Sequence, residues 1–453
     1  MQVWWSRVAC GLILGYLCLS RTFAYLGVPA WKVFVSEVVL AFLLLYGPQF
    51  QGRRWLAYVL RLPSLRRYLV WYGLFLAYGI AQVLHGILQG NPALIAARDL
   101  AFNYYPIYLL LGLWAGLARP DLLPRVIRAF AWFNGIYGVL YIFLLSGVTW
   151  SVPGVSQEVV DVPIFPQPIY SFAALLGLLA YGTKFQRSWH LLILNAIVML
   201  GMQFRTEWLA FAVGAVIWLL LTMQSKRVLQ ASAILASLLA LMYVTDVRLP
   251  VPELRGGGDI SVQQLGDRVL APFRADLGDM KSAAGVEGVD PQEATFVFRT
   301  VWWLAIWNSV HSDLQTAVLG HGYGFPLGDL VPYLKGEFIR TPHNEFFYAL
   351  GYTGWIGVTL FALFQIEIFR LLWGAYRITG KPFGIIYWIA TMIFGMFFPL
   401  GETPYGAIPF YLLVGWCAAP VLLVRKAPVL QTDQQRSARL AGMNPSGATA
   451  AAS

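Results

Sequence analysis

The sequence predicts an all-α polytopic membrane protein of about twelve transmembrane helices. Of its 453 residues, 58% are hydrophobic and only 12% are charged, where an average soluble domain carries roughly 25% charge. The mean hydropathy is +0.62. Apolar runs near the roughly 20 residues that cross a bilayer fill most of the chain, with basic clusters between them. These observations exclude a disordered chain, a collagen and a disulfide scaffold, and they weigh against a soluble enzyme.

The candidate spans are residues 8–25, 33–48, 68–88, 100–118, 129–147, 168–183, 190–204, 208–223, 228–245, 344–369, 383–398 and 407–424. Arg7 followed by an apolar run is signal-like. No small-x-small cleavage site follows cleanly, however, and the first span reads as a retained helix. With both termini in the cytoplasm, the inner segments hold 20 of the 32 basic residues but only 3 of the 22 acidic ones. That is the asymmetry by which Lys and Arg near span ends orient a membrane protein. The chain divides into a helix bundle over 1–245, a long periplasmic loop over 246–343, further spans over 344–425, and a cytoplasmic tail over 426–453. The tail is polar, rich in small residues and expected to be disordered.

The long outer loop has two parts. Its first half is rich in Gly, Asp and Pro, as in Arg255–Asp259. Its second part, Thr295–Val310, carries Trp302, Trp303 and Trp307 and is too polar to span. Tryptophan favours the headgroup level, so an interfacial helix is expected there.

The net charge of +10 does not call for nucleic acid, because the basic residues sit at span ends and form no patch on a soluble surface. Cys10, Cys18 and Cys417 lie inside apolar stretches and read as small buried residues. His85 and His190 fall at span boundaries. His311 and His321 stand near Asp313, but the spacing matches no tight metal pattern, and no metal or cofactor is expected.

Three places carry the unusual chemistry. His343 follows Pro342, which disfavours helix before it, and precedes an apolar helical run spaced by Gly351, Gly354 and Gly357. It reads either as a polar cap at the membrane surface or as an imidazole exchanging protons there. Arg205 interrupts an apolar stretch, where it either pairs with Glu207 in a turn or serves a site; a central arginine costs roughly 2.5–3.5 kcal/mol on insertion scales. Arg299 shares a helical face with Trp302, Trp303 and Ile306. It would either snorkel to lipid phosphates or grip a diphosphate bidentately. The stretch Gly320–Asp329 lacks the strand-to-helix context of a dinucleotide loop. It reads as a flexible outer loop lining a site, with Gly322 and Gly324 permitting close backbone approach.

Taken together, Phe204–Gly214, Phe298–Trp307 leading to Leu319–Phe325, and His343–Gly357 resemble the O-antigen ligase and polymerase superfamily of bacterial envelope glycosyltransferases. The resemblance is clearest from about Gln203 to Gly357. It implies transfer of a glycan from an undecaprenyl diphosphate carrier to a hydroxyl of lipid A core or of a growing glycan. The reaction would run on the periplasmic face of the inner membrane, without metal or nucleotide. Carried over, Arg205 and Arg299 would bind the diphosphate and His343 would act on the acceptor hydroxyl. Asn344 would orient the loop or substrate, with Arg340, Gly322 and Gly324 supporting. Two departures stand out: Phe204 occupies a position where the family often has Ser, and Glu207 sets a carboxylate near Arg205.

Other readings exist. A transporter or flippase of lipid-linked sugars should show two related halves and ionisable groups at mid-membrane, and neither is visible. A metal-dependent glycosyltransferase should carry an acidic pair in its first outer loop, where only Glu37 lies close. A structural scaffold would leave all these motifs incidental.

Overall fold

The computed structural model describes residues 2–28, 33–42, 62–148, 150–151, 162–181, 188–223, 291–331, 334–335 and 341–422, with a few positions between 237 and 261. In chain order the helices are α1 (Gln2–Ala24), α2 (Pro63–Leu88), α3 (Ala93–Ala118), α4 (Leu122–Leu145), α5 (Ser171–Tyr181), α6 (Trp189–Met202) and α7 (Arg205–Thr222). They continue with α8 (Pro291–Val310), α9 (Leu314–Leu319), α10 (Glu345–Thr379), α11 (Phe383–Gly395) and α12 (Pro404–Leu422). Two antiparallel ladders of two-residue strands join them, β1 (Gly27–Val28) with β2 (Val33–Phe34) and β3 (Leu249–Pro250) with β4 (Asp259–Ile260).

Seven helices among the described residues, α1–α4, α7, α10 and α12, are long and apolar enough to cross a membrane. The shorter apolar helices α5, α6 and α11 coincide with three further predicted spans. The predicted span 33–48 begins as β2 and a short helix over 35–42, and its remainder lies outside the described residues. Most of 228–245 also lies outside them, as do most of 246–290, Arg340 and the tail from 426.

Helices from the two ends of the chain interleave. α1 packs on α3 and α12, α2 packs on α10, and α7 packs on α11 and α5. The α3–α12 crossing shows why glycine is needed. A Cβ on Gly112 would lie 2.1 Å from the Leu412 carbonyl oxygen, and one on Gly415 would lie 2.1 Å from that of Leu109. With no side chain at either position the two backbones touch, which maximises dispersion contact where burial from water is unavailable.

α10 has 35 residues, about 50 Å at 1.5 Å per residue, well beyond a roughly 30 Å hydrocarbon core. It breaks at Gly354 (φ 59, ψ −167), a conformation open to glycine and strained for other residues. The segment before the break packs beside α9, where Gly354 abuts the Val318 carbonyl.

The bundle has two chemically distinct ends. At one, Glu367 pairs with Arg67 at 3.5 Å and with Arg370, and Arg119 pairs with Asp121 at 3.0 Å. At the other end lie the start of α5, α7, α10 and α12 and the end of α1, α6 and α11. Three bonds tie these termini together. Ser171 N–H donates to Glu207, Tyr170 O–H to the Tyr405 carbonyl, and Leu400 N–H to Glu345. α8 packs on this end through Trp302, Ile306 and Val310, all fully buried, and the Trp302 indole N–H donates to the Leu327 carbonyl at 2.8 Å. Trp302 is therefore packed against protein, where the sequence suggested a lipid headgroup. Leu304 and Trp307 occupy the exposed side of the same helix.

Replacing Gly415 by Ala is expected to destabilise the bundle by about 1–3 kcal/mol, because the new methyl meets backbone that cannot move aside. Gly73→Ala, where a Cβ meets nothing within 4 Å, is expected to be neutral or slightly stabilising. Thermal unfolding of the two variants in one detergent compares them directly.

Candidate active site

His343 is held by its neighbours on both sides. It adopts φ 52, a left-handed conformation uncommon for a residue with a Cβ. On one side the Trp303 indole N–H donates to the Pro342 carbonyl at 2.7 Å. On the other, the Asn344 side chain accepts the N–H groups of Phe346 at 2.9 Å and Phe347 at 3.2 Å. Asn344 is thus the N-cap of α10 and satisfies donors that have no intrahelical partner. The left-handed turn is what allows the chain to enter the helix directly after Pro342.

The next residue fixes a second loop. Glu345, buried in the first turn of α10, accepts N–H groups from Leu400 at 2.8 Å and from Gly401. It thereby anchors the connection 396–403 between α11 and α12. A carboxylate receiving two backbone donors is a strong charge-assisted contact. The same connection receives Arg299, whose Nη1 donates to the Phe397 carbonyl at 3.1 Å. Trp303, one helical turn after Arg299, stacks on Phe347 with centroids 5.5 Å apart. α8 is thus pinned to both loops, and this brings Arg299 to His343 from 44 positions away.

A second cation arrives from α1. That helix is interrupted at Ser20 (φ 42, ψ −120), and the Arg21 guanidinium lies over the Tyr405 ring, 5.7 Å from its centroid. Burial, then Arg299, then Arg21 lower the His343 pKa to about 4. Its Nδ1 is buried without a hydrogen-bond partner. The imidazole is therefore neutral at pH 7 and available as a proton acceptor. The sequence suggested proton exchange near neutral pH; enclosure beside two cations moves it lower. Burial also lowers the pKa of Arg299 from its ordinary value.

Arg205 opens α7 at the same end of the bundle, after Gln203 in a left-handed turn (φ 55) and Phe204 in an extended one. The carboxylate of Glu207 is fully buried and accepts the Ser171 N–H at 3.1 Å, at the amino end of α5. It therefore has a structural task there.

The glycine loop is packed into the protein. Gly322 and Gly324 both have positive φ. A Cβ on Gly322 would meet the Gly86 backbone at 2.7 Å, and one on Gly324 would meet the Asn91 side chain at 2.9 Å. Their N–H groups donate to the Tyr352 carbonyl at 3.0 Å and to the Asp99 carboxylate at 2.9 Å. The close approach is thus to α2 and the start of α3, and the loop is a wedge between α2 and α10. The two histidines near Asp313 have their own tasks. His321 meets Ser309 at 2.9 Å and stacks on Phe325. His311 contacts the Trp307 carbonyl and the Trp355 indole. Asp313 caps α9.

Two residues of this region escaped the sequence reading. Arg21 stood inside a predicted span, and a charge within an apolar run is itself a functional signal. Glu402 sits on the 396–403 connection, with its Oε2 buried and without a hydrogen-bond partner. Burial, reinforced by Glu345, holds its carboxyl well above the usual range. Nothing in its short loop distinguished it.

The fold and this end of the bundle define a multi-pass membrane protein with cationic groups gathered around a neutral histidine. Residues 190–362 match the model of the family described as O-antigen ligase. The match supports membership of the O-antigen ligase and polymerase superfamily, and with it a membrane enzyme of the glycosyltransferase type acting in polysaccharide biosynthesis. The matched segment runs from α6 into the first half of α10 and contains Arg205, Arg299 and His343. No curated protein matches the chain.

Asn344→Ala is expected to lower stability by about 1 kcal/mol through loss of the cap, and Asn344→Ser to retain most of it. Denaturation midpoints in detergent compare the two. If the cap also holds His343 in place, activity follows the same order.

Proposed function

We propose that the protein transfers a glycan from an undecaprenyl diphosphate carrier to an acceptor hydroxyl on the periplasmic face of the bacterial inner membrane. The acceptor is lipid A core or the end of a growing glycan. The observation that carries this reading is a neutral imidazole beside partly buried guanidiniums at one end of an apolar helix bundle.

In this reading the acceptor oxygen bonds to the anomeric carbon while the bond from that carbon to the diphosphate oxygen breaks. The electron pair leaves with the diphosphate and the hydroxyl proton passes to His343. Negative charge grows on the leaving group, so cations fixed beside it stabilise the transition state more than the ground state. Arg299 and Arg205 supply that charge. No metal is invoked, and membrane lipids surround the spans while the polyprenyl tail lies along them.

Neutral His343 is the form a base requires. Loss of activity on acidification should therefore set in below the ordinary histidine range of about 6.5 in kcat/KM, which reports the free enzyme. Bound diphosphate would offset the field of the guanidiniums and raise the imidazole pKa. The acid limb of kcat, which reports the loaded enzyme, should then lie at higher pH than that of kcat/KM.

The test is glycan transfer by the purified chain in vesicles, from a lipid-linked donor to a lipid A core or glycan acceptor. His343→Ala should lower the rate about 10²–10⁴-fold, Arg299→Gln about 10²–10³-fold, and EDTA should leave it unchanged. Parent-like turnover by His343→Ala would remove the catalytic assignment. Donor crossing the bilayer with no covalent product would replace it with transport.

A further inference from the structure

Arg21 is the cation in this region that the family match leaves out, since the match begins at residue 190. A basic residue at the end of a span has an ordinary explanation, as an orientation signal in contact with water or lipid headgroups. The position of Arg21 differs from that in three respects. The chain leaves its helical path at Ser20 (φ 42, ψ −120) immediately before it, so the side chain departs from the face that the α1 periodicity would give it. The guanidinium is partly enclosed and lies over the Tyr405 ring at 5.7 Å. No carboxylate forms an ion pair with it among the described residues, whereas Arg67, Arg119, Arg125 and Arg370, four of the arginines at the opposite end, pair with acids.

Tyr405 begins α12 directly after the connection whose Phe397 carbonyl receives Arg299. The connection and the first turn of α12 that follows it therefore receive one guanidinium each, and both fields reach His343. Two partly desolvated cations that act on one imidazole, neither in an ion pair among the described residues, are electrostatically unfavourable. Such a pair is stabilised by a ligand of high negative charge density with more than one acceptor group. Packing on an aromatic face orients a guanidinium while leaving in-plane N–H groups for that ligand.

We infer that Arg21 acts with Arg299 as a binding residue for the two linked phosphoryl groups of the donor. This rests on the diphosphate-donor reading above and adds to it an element from the N-terminal helix. The donor pocket is then closed by α1, α8 and the α11–α12 connection together. Arg21 contributes binding of the diphosphate and leaves recognition of the acceptor to other groups.

The experiment uses the full chain in nanodiscs, with inorganic pyrophosphate, farnesyl diphosphate and orthophosphate as probes, beside donor and acceptor kinetics. Arg21→Gln should weaken pyrophosphate and farnesyl diphosphate binding about tenfold or more, equivalent to about 1.4 kcal/mol. The donor KM should rise while the acceptor KM stays unchanged. Arg21→Lys should restore part of the affinity, since it keeps the charge and loses the fork. Equal pyrophosphate affinity in Arg21→Gln and the parent would overturn the inference. So would orthophosphate binding as tightly as pyrophosphate, because Arg21 would then be a general site for single phosphates such as lipid headgroups. If Arg21→Gln does not fold, Arg21→Lys decides: parent-like pyrophosphate affinity and donor KM overturn the inference. A parent that neither transfers glycan nor binds either diphosphate would instead remove the donor reading itself.

Discussion

The architecture of the site depends on the contact between the Glu345 carboxylate and the backbone N–H groups of Leu400 and Gly401. Glu345 is part of the first turn of α10, immediately after the capped left-handed turn at His343. Its hold on the α11–α12 connection fixes where the Phe397 carbonyl and the Tyr405 ring lie. Those two groups in turn receive Arg299 and Arg21. One buried carboxylate therefore sets the spacing of two guanidiniums relative to one imidazole. Gly401 is required by this arrangement, because a Cβ there would stand 2.4 Å from a Glu345 carboxylate oxygen.

The electrostatic character follows from that geometry. Apolar helices exclude water, so the charged form of each titratable group depends on its immediate neighbours. His343, beside two cations, stays neutral. Burial and the neighbouring Glu345 raise the Glu402 carboxyl well above the usual range. The opposite end of the bundle has a different logic. There Glu367 sits between Arg67 and Arg370, and opposite charges neutralise one another in place. One end carries ion pairs, and at the other Arg299 and Arg21 meet a backbone carbonyl and an aromatic ring.

Much of the fold was readable because hydropathy reports directly on membrane burial. Ten of the predicted apolar runs correspond to α1–α7 and α10–α12. Arg299 and His343 were readable as polar residues in apolar surroundings, and their neighbourhood in space was suggested by a family resemblance. What sequence could not give was the use made of a residue by its partners across the fold. Trp302 was expected at the lipid headgroups and instead donates to Leu327 inside the protein. Gly322 and Gly324 were assigned to a loop that lines a site, and their open space is filled by α2 and α3. Glu207 was read only for its nearness to Arg205, and nothing in the sequence signalled that its carboxylate also receives the first N–H of α5. Arg21 stood inside a predicted span without a role, because the break at Ser20 has no signature in residue type.

The wedge at Gly320–Gly324 has a consequence for how the molecule is made. Gln82 in α2 donates to the Leu319 carbonyl, and the Tyr323 N–H returns a bond to the Gln82 carbonyl. These contacts join parts of the chain more than two hundred residues apart. An N-terminal helix already in the bilayer must therefore wait, with polar groups unmet, until the later segment is synthesised and threaded against it. Non-local closures of this kind are slow to form. Maturation of the enzyme would then be limited by a late locking step, making the nascent chain vulnerable to membrane quality control before that lock is set.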